Sequence, residues 1–190
     1  MEKEINLEKL KEPITPRWRV QSTKNNKAIC TAYIDARQAQ DRLDEVCGAQ
    51  NWQNTYDPET GRSSISILIN GDWIWKSDVG TEREASGKLG ATERESIKHK
   101  GKASDAFKRA AILWGVGRFL YKIENKVLSM DGNYAKTPKG TILYTGDQLS
   151  NYINGLSEGK ALLMQLWNLN KDLQSDEVFK TSISNLKNLV

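Results

Sequence analysis

The sequence is poor in the residues from which most catalytic and structural metal sites are built. Its 190 residues include only two cysteines, Cys30 and Cys47, and one histidine, His99. The cysteines form no CxxC pair and cannot complete a zinc tetrad with one imidazole, so no structural metal is expected and a reducing compartment suits the thiols. A Ser or Cys triad would have to use His99, which sits in a lysine-rich stretch with no orienting partner. Gly115-x-Gly117 follows a helix-forming segment rather than a strand and lacks a third glycine, and there is no Walker-type loop. This argues against dinucleotide binding and against ATP-driven work. Neither catalytic residues nor a cofactor is expected.

Long hydrophobic runs are also missing. Nothing approaches the roughly 18 apolar residues of a membrane span, and the opening MEKEINLEKL is charged where a signal peptide would be apolar. A soluble, cytoplasmic protein is the expectation. Only four prolines and 14 glycines occur, against 38% hydrophobic and 27% charged residues, which excludes a collagen-like, low-complexity or wholly disordered chain. The length suits one domain with an extension.

What is present is positive charge, unevenly placed. The net charge is +4, yet the segment from Arg94 to Lys122 alone holds eight Lys or Arg against Glu95 and Asp105. Such concentration suggests a polyanionic partner.

Local signals outline the elements. Ile5, Leu7 and Leu10 mark a short helix stopped by Pro13 and Pro16, and Arg17 to Val20 reads as extended. A β-leaning run from Ala28 to Ile34 precedes Asp35, an N-cap for a helix with Ala36, Ala39, Leu43, Val46 and Cys47 on one face, ending at Gly48. Strands are expected at 52–56, 63–69 and 72–79, the last two joined by the hairpin pair Asn70-Gly71. Ile65, Ile67 and Ile69 alternate with Ser64, Ser66 and Leu68, and Trp73 and Trp75 alternate with Ile74 and Lys76, giving an antiparallel meander with one face to bury.

Residues 81–102 read as a mobile polar segment with capping boxes at Thr81-x-x-Glu84 and Thr92-x-x-Glu95. Ser104 is expected to cap the strongest helix, whose face of Phe107, Ala110, Ala111 and Trp114 should cross the meander, with Gly115 and Gly117 loosening its end. Further on, short apolar runs at 127–130 and 142–144 lie between loops. A helix is expected from Thr145-x-x-Gln148 to about Gly155, another over 158–170 and a third over 176–189. The fold class is α+β: a β-β-β-α core over residues 1–125 with a helical C-terminal extension over 126–190.

Two constellations could carry chemistry. Asp72, Asp78, Glu82 and Glu84 are read as bunching at the end of the third strand, where they could hold Mg²⁺ in a metal-dependent nuclease, although turn and helix-start roles account for them as well. The stronger one is basic and aromatic. Burial of Phe107, Ala111 and Trp114 forces Lys108 and Arg109 outward, where the pair suits a phosphate track. Arg17-Trp18-Arg19 and Tyr33 add guanidiniums and stacking surfaces of the kind that single-strand binders use. Trp73, Trp75 and Trp114 are assigned to the core or to subunit contact. By residue pattern alone this is a basic α+β domain that binds nucleic acid, or an adaptor whose basic helix binds an acidic protein.

Three ordered blocks go further. They are Tyr33-Ile34-Asp35-Ala36-Arg37-Gln38 through Leu43-Asp44-Glu45-Val46-Cys47-Gly48 to Asn51-Trp52; Asp78-Val79-Gly80; and Lys100 to Ala110 (KGKASDAFKRA) with Trp114-Gly115. Together, over about residues 13–121, they resemble the Rad-fifty-two/Rad-twenty-two family of single-strand annealing proteins, with phage and bacterial members looking nearest. The resemblance implies a β-β-β-α core that assembles into rings and holds single-stranded DNA in a basic groove with its bases displayed, without nucleotide hydrolysis.

It places Lys108 and Arg109 on the DNA backbone, Tyr33 and Arg17 in the groove with Arg19 able to replace Arg17, and Lys102 among the DNA-binding residues. Arg62 and Lys88 correspond to a second, outer DNA site. A long recruiting tail like that of eukaryotic members is not expected, and residues 122–190 match nothing placed; beside DNA and the chain itself, a single-strand-binding protein is named as a further partner.

Overall fold

The computed structural model describes residues 5–81, 91–170 and 174–187. A short 3-10 helix (Leu7–Lys11) is followed by β1 (Arg17–Lys24), β2 (Lys27–Tyr33), α1 (Ala36–Cys47), β3 (Trp52–Asp57), β4 (Arg62–Ile69) and β5 (Asp72–Val79). Then come α2 (Ala91–Trp114), a 3-10 turn (Arg118–Lys122), β6 (Lys126–Asp131), β7 (Tyr134–Lys136), β8 (Ile142–Leu143), α3 (Gly146–Leu169) and α4 (Glu177–Lys187). The architecture is α+β with a helical C-terminal part. Two compact units form: residues 1–14 with 34–123, and residues 15–33 with 124–190. Where the sequence suggested a division between 125 and 126, the hairpin 17–33 is grouped with the C-terminal segment, because β2 pairs with β6 in register Ala28 to Leu128.

In the first unit, α1 opens with a reciprocal capping box: the Asp35 carboxylate accepts from the Gln38 amide and the Gln38 side chain accepts from the Asp35 amide. Gly48 ends it at φ 82°, a backbone that side chains other than glycine rarely adopt. Arg42 on α1 donates to the carbonyls of Lys9 and Glu12, at 2.8 and 3.1 Å, and so pins the N-terminal segment. β3, β4 and β5 form an antiparallel meander. Asn70 and Gly71 both take positive φ, the geometry of the tight hairpin turn that their sequence announced.

The helix α2 crosses this sheet on the Ile65 and Ile67 face. Leu10, Ile34, Ala39, Leu43, Ile65, Ile67, Phe107, Ala110, Ala111, Trp114 and Val116 make one core, and the Trp114 indole N–H donates to the Ile65 carbonyl at 3.1 Å. Cross-strand partners share a sheet face. Trp73 and Trp75, opposite Leu68 and Ser66, therefore stand on the face away from α2, 39% and 45% exposed. They are not part of this core, which corrects the core half of the expectation for them; Trp114, 6% exposed, is.

Two boundaries also differ from expectation. Ser104 does not cap α2: the helix already runs from Ala91, through the segment read as mobile and through Thr92. The cause is that only its second half has an apolar stripe to signal it. Nor does Gly115 loosen the end. At φ 112° it makes a two-bond Schellman cap, its amide donating to Ile112 and the Val116 amide to Ala111, at 3.0 and 3.1 Å. The Thr81 box partner Glu84 lies outside the described residues.

The second unit is an antiparallel sheet in the order β1-β2-β6-β7-β8. Thr145 and Gln148 cap α3 reciprocally, but the helix passes through Gly155 to Leu169, so the two expected helices are one. A mid-helix glycine costs only about 1 kcal/mol, which the burial of Leu149, Ile153 and Leu163 outweighs. Trp18 ties β1 to α3: its amide donates to the Ser150 hydroxyl and its indole N–H to Asn154, both at 2.8 Å. Asp176 caps α4 through the Phe179 amide, and Phe179 stacks on Trp167. Among the described residues no helix is long and apolar enough to cross a membrane.

Candidate nucleic-acid interface

The chemistry of α2 follows from its period. With Ala106, Phe107, Ala110, Ala111 and Trp114 turned into the core, Lys108 is half-buried at the rim and Arg109 is exposed. The Arg109 guanidinium lies 3.3 Å from Asp78 on β5, whose carboxylate is 27% exposed. An exposed pair of this kind contributes at most about 1 kcal/mol and leaves the guanidinium able to take a second anion.

Two of the blocks singled out in the sequence meet here. A Cβ on Gly80 would fall 2.2 Å from the Lys102 carbonyl oxygen and 2.9 Å from the Ala106 nitrogen, so the end of β5 can approach α2 only as glycine. Thr81 then donates through its amide and hydroxyl to Asp105, both at 3.1 Å. Lys102 lies half-buried with its aliphatic stem over Gly61. Arg62 stands on the opposite sheet face, cross-strand from Asp57 and Val79. The Asp57 carboxyl is held below the usual range by the Thr60 hydroxyl first, then by amides and by the Arg62 charge. Lys88, the other residue of the expected outer site, lies outside the described residues.

A further set of cations went unnoticed in the sequence. At the C-terminal end of α2, the Lys76 ammonium sits 4.1 Å from the centroid of the Trp114 ring and donates to the Leu113 carbonyl. Arg118 donates to the Ile112 and Leu113 carbonyls, at 2.8 Å each. Burial, then the charges of Arg118 and Lys11, hold Lys76 below the ordinary lysine range. The available signal was phase: Lys76 occupies the same strand face as Ile74.

In the second unit, Arg17 and Tyr33 are cross-strand partners, as are Arg19 and Thr31, and they share the face opposite Trp18 and Ala32. The two arginines differ. Arg17 donates to Asp147 of α3 at 2.6 Å, whereas the Arg19 guanidinium lies 5.5 Å from the centroid of the Tyr33 ring and its buried Nε has no hydrogen-bond partner. Lys102, Lys108, Arg109 and Arg62 thus belong to one unit and Arg17, Arg19 and Tyr33 to the other.

Of the acids of the alternative reading, the two described ones do not converge. Asp72 and Asp78 are six residues apart on one strand, about 20 Å, too far to share one ion, and Glu82 and Glu84 lie outside the described residues. Among the described residues no group of three His, Cys, Asp or Glu side chains could hold a metal.

The single-stranded DNA-binding protein DdrA of Deinococcus deserti is 35% identical over 99 residues, 52% of this chain and 45% of that protein. DdrA of Deinococcus radiodurans is 32% identical over 110 residues, 58% of this chain and 49% of that protein. The matched segments thus span about half the length of these relatives. No solved structure matches. The model of the Rad52/22 family of double-strand break repair proteins matches residues 3–139, a span that takes in the meander, α2 and the β1–β2 hairpin; the chain belongs to that family.

Proposed function

We propose that this chain binds single-stranded DNA and anneals complementary strands in recombination and repair, as a ring-like homo-oligomer and without nucleotide hydrolysis. The observation that carries the reading is the placement of Lys108 and Arg109 at the rim of the buried face of α2, in a chain of this family whose matched relatives are named single-stranded DNA-binding proteins.

In this reading Lys108 and Arg109, with Lys102, carry phosphate contacts on the first unit. On the second, Arg19 stacked on Tyr33 offers a cationic aromatic platform, with Arg17 beside it on the same strand face. Arg62 and Lys88 form the outer DNA site. Annealing is downhill, so the protein needs only to reduce phosphate repulsion and leave base edges accessible, for which Lys and Arg suffice. Exposed Trp73, Trp75 and Val79 on the sheet face away from α2 support self-association, and a ring multiplies weak contacts per subunit into tight binding. The cytoplasm is the compartment where this work belongs.

The test is an annealing assay with labelled complementary oligonucleotides, with and without Mg²⁺ and always without ATP. Duplex formed from intact strands is the expected result. Shortened strands would replace this reading with a nuclease, and no change at all with an adaptor. Light scattering should give a mass many times 21.5 kDa; a monomer across the micromolar range removes the ring.

A further inference from the structure

We propose that Lys11, Lys76 and Arg118 are a second stretch of the DNA-backbone track, continuing from Arg109 along β5 to the C-terminal end of α2. The proposal rests on the single-stranded DNA reading above and adds residues that it does not contain.

Geometry brings the three cations together. Lys76 and Asp78 share one face of β5 two residues apart, about 7 Å, and Asp78 is the residue that Arg109 engages. Lys76 is therefore the next cation along the strand. Lys76 and Arg118 both donate to the same carbonyl, that of Leu113. Lys11 lies against Gly115, where an added Cβ would come within 2.8 Å of its Cγ.

Their role as helix caps does not account for them. The Schellman bonds already tie Gly115 and Val116 to the last turn, and a helix C-terminus carries only about half a negative charge. Three cations more than neutralise it. Among the described residues the partners of Lys76 and Arg118 are backbone carbonyls and an indole face, none of them a carboxylate; Lys11 has one, the exposed Glu8. Gathering like charges and partly desolvating one of them is unfavourable in the free chain, and an anion seated among them removes that cost. A nucleic-acid backbone fits better than an acidic peptide, because Lys76 follows on β5 two residues from the acid that Arg109 engages and a phosphodiester chain needs cations at successive positions.

The experiment measures binding of a labelled oligodeoxythymidine to the full chain as a function of salt. The variants are the triple Lys11→Gln, Lys76→Gln, Arg118→Gln; the charge-keeping Lys76→Arg, Arg118→Lys; and Lys108→Ala, Arg109→Ala for reference. Each phosphate contact to a single strand contributes about 0.7 to the slope of log affinity against log salt. The triple variant should lose about 2 from that slope, and the charge-keeping variant should keep it. A labelled oligoglutamate peptide is titrated in parallel. Loss of peptide binding in the triple variant with an unchanged DNA slope overturns the proposal in favour of an acidic protein partner.

An unchanged slope beside a reduced one for Lys108→Ala, Arg109→Ala overturns this proposal alone. No DNA binding by the wild-type chain overturns both readings. Circular dichroism monitors folding; if the triple variant is unfolded, Lys11→Gln alone, at an exposed position, must lower the slope by about 0.7, and a wild-type slope then counts against the proposal.

Discussion

The two units of this chain solve the same problem, a sheet covered by a helix, with different wiring. In the first, β3, β4 and β5 follow one another through short turns and α2 packs on them. The sequence of the meander is nearly its topology. In the second, β2 must find β6 roughly a hundred residues later, and the hydrogen bonds of Trp18 span more than 130 residues. The arginines share the contrast. Arg109 is exposed at a helix rim beside a strand acid of its own meander, whereas Arg17 is held by Asp147, an acid brought from the far end of the chain. Locally wired surfaces leave their cations at predictable positions; remotely wired ones let a distant residue decide whether a cation is paired.

The largest effect expected is on the cores. Trp114→Ala and Trp18→Ala each remove a buried indole and leave a hydrogen-bond partner unmatched, which should cost about 3–5 kcal/mol. Hydrogen exchange should lose protection in β4 and α2 for the first and in β1 and α3 for the second. Identical patterns from the two variants would abolish the distinction drawn between the units.

Next comes Lys108→Ala with Arg109→Ala. The salt slope for single-stranded DNA should fall by about 1.4 and affinity by roughly 10- to 100-fold across all base sequences, while thermal stability changes by no more than about 1 kcal/mol. A lost fold with unchanged affinity would return the pair to a structural role.

A pH titration probes the first core. Burial, and secondarily Asp44, push the Cys47 thiol from 9.0 up to about 11. In the unfolded chain the thiol ionises first, so between pH 9 and 11 the unfolded state binds fewer protons and stability falls as pH rises. Below about pH 8 this contribution is flat. The fall is at most about 2–3 kcal/mol, and the difference between wild type and Cys47→Ala in pH-dependent melting isolates it. At pH 8 both buried thiols should react with an alkylating reagent only after denaturation.

The smallest effect concerns the remote ion pair. Asp147→Asn releases Arg17 from a partner that is 74% exposed, so stability should change by less than about 1 kcal/mol. If Arg17 serves in DNA binding, affinity should rise by no more than about fivefold, read by fluorescence anisotropy. Weaker binding would mean that Asp147 positions Arg17 rather than competing for it.

Much of the first unit was legible because its signals are local. Asp35 with Gln38, Asn70-Gly71 and the Ile65 to Ile69 alternation each specify their own conformation within a few residues. The first half of α2 was not legible, since a helix without a buried stripe has no period to read. The union of two expected helices across Gly155 was hidden because a glycine penalty of about 1 kcal/mol is small beside burial that only the folded sheet supplies. At the interface, Lys108 and Arg109 could be read from helix phase. Strand phase puts Lys76 on the face of Ile74, but that Lys76 and Arg118 share the Leu113 carbonyl follows only from the packing of β5 and the turn after α2.

The sequence by itself determined the meander, the caps of α1 and α3, the basic character of α2 and the need for glycine in the turn after Asn70, because each follows from backbone sterics, side-chain period or charge acting over a few residues. Only the tertiary structure decided that β2 pairs with β6, that Arg17 is held by Asp147 while Arg19 stacks on Tyr33, that Trp73 and Trp75 face away from α2, and that Gly80 lies against the Lys102 carbonyl. Those outcomes turn on contacts between segments tens to more than a hundred residues apart, where the free energy of burial and packing depends on what meets whom, and no local rule carries that information.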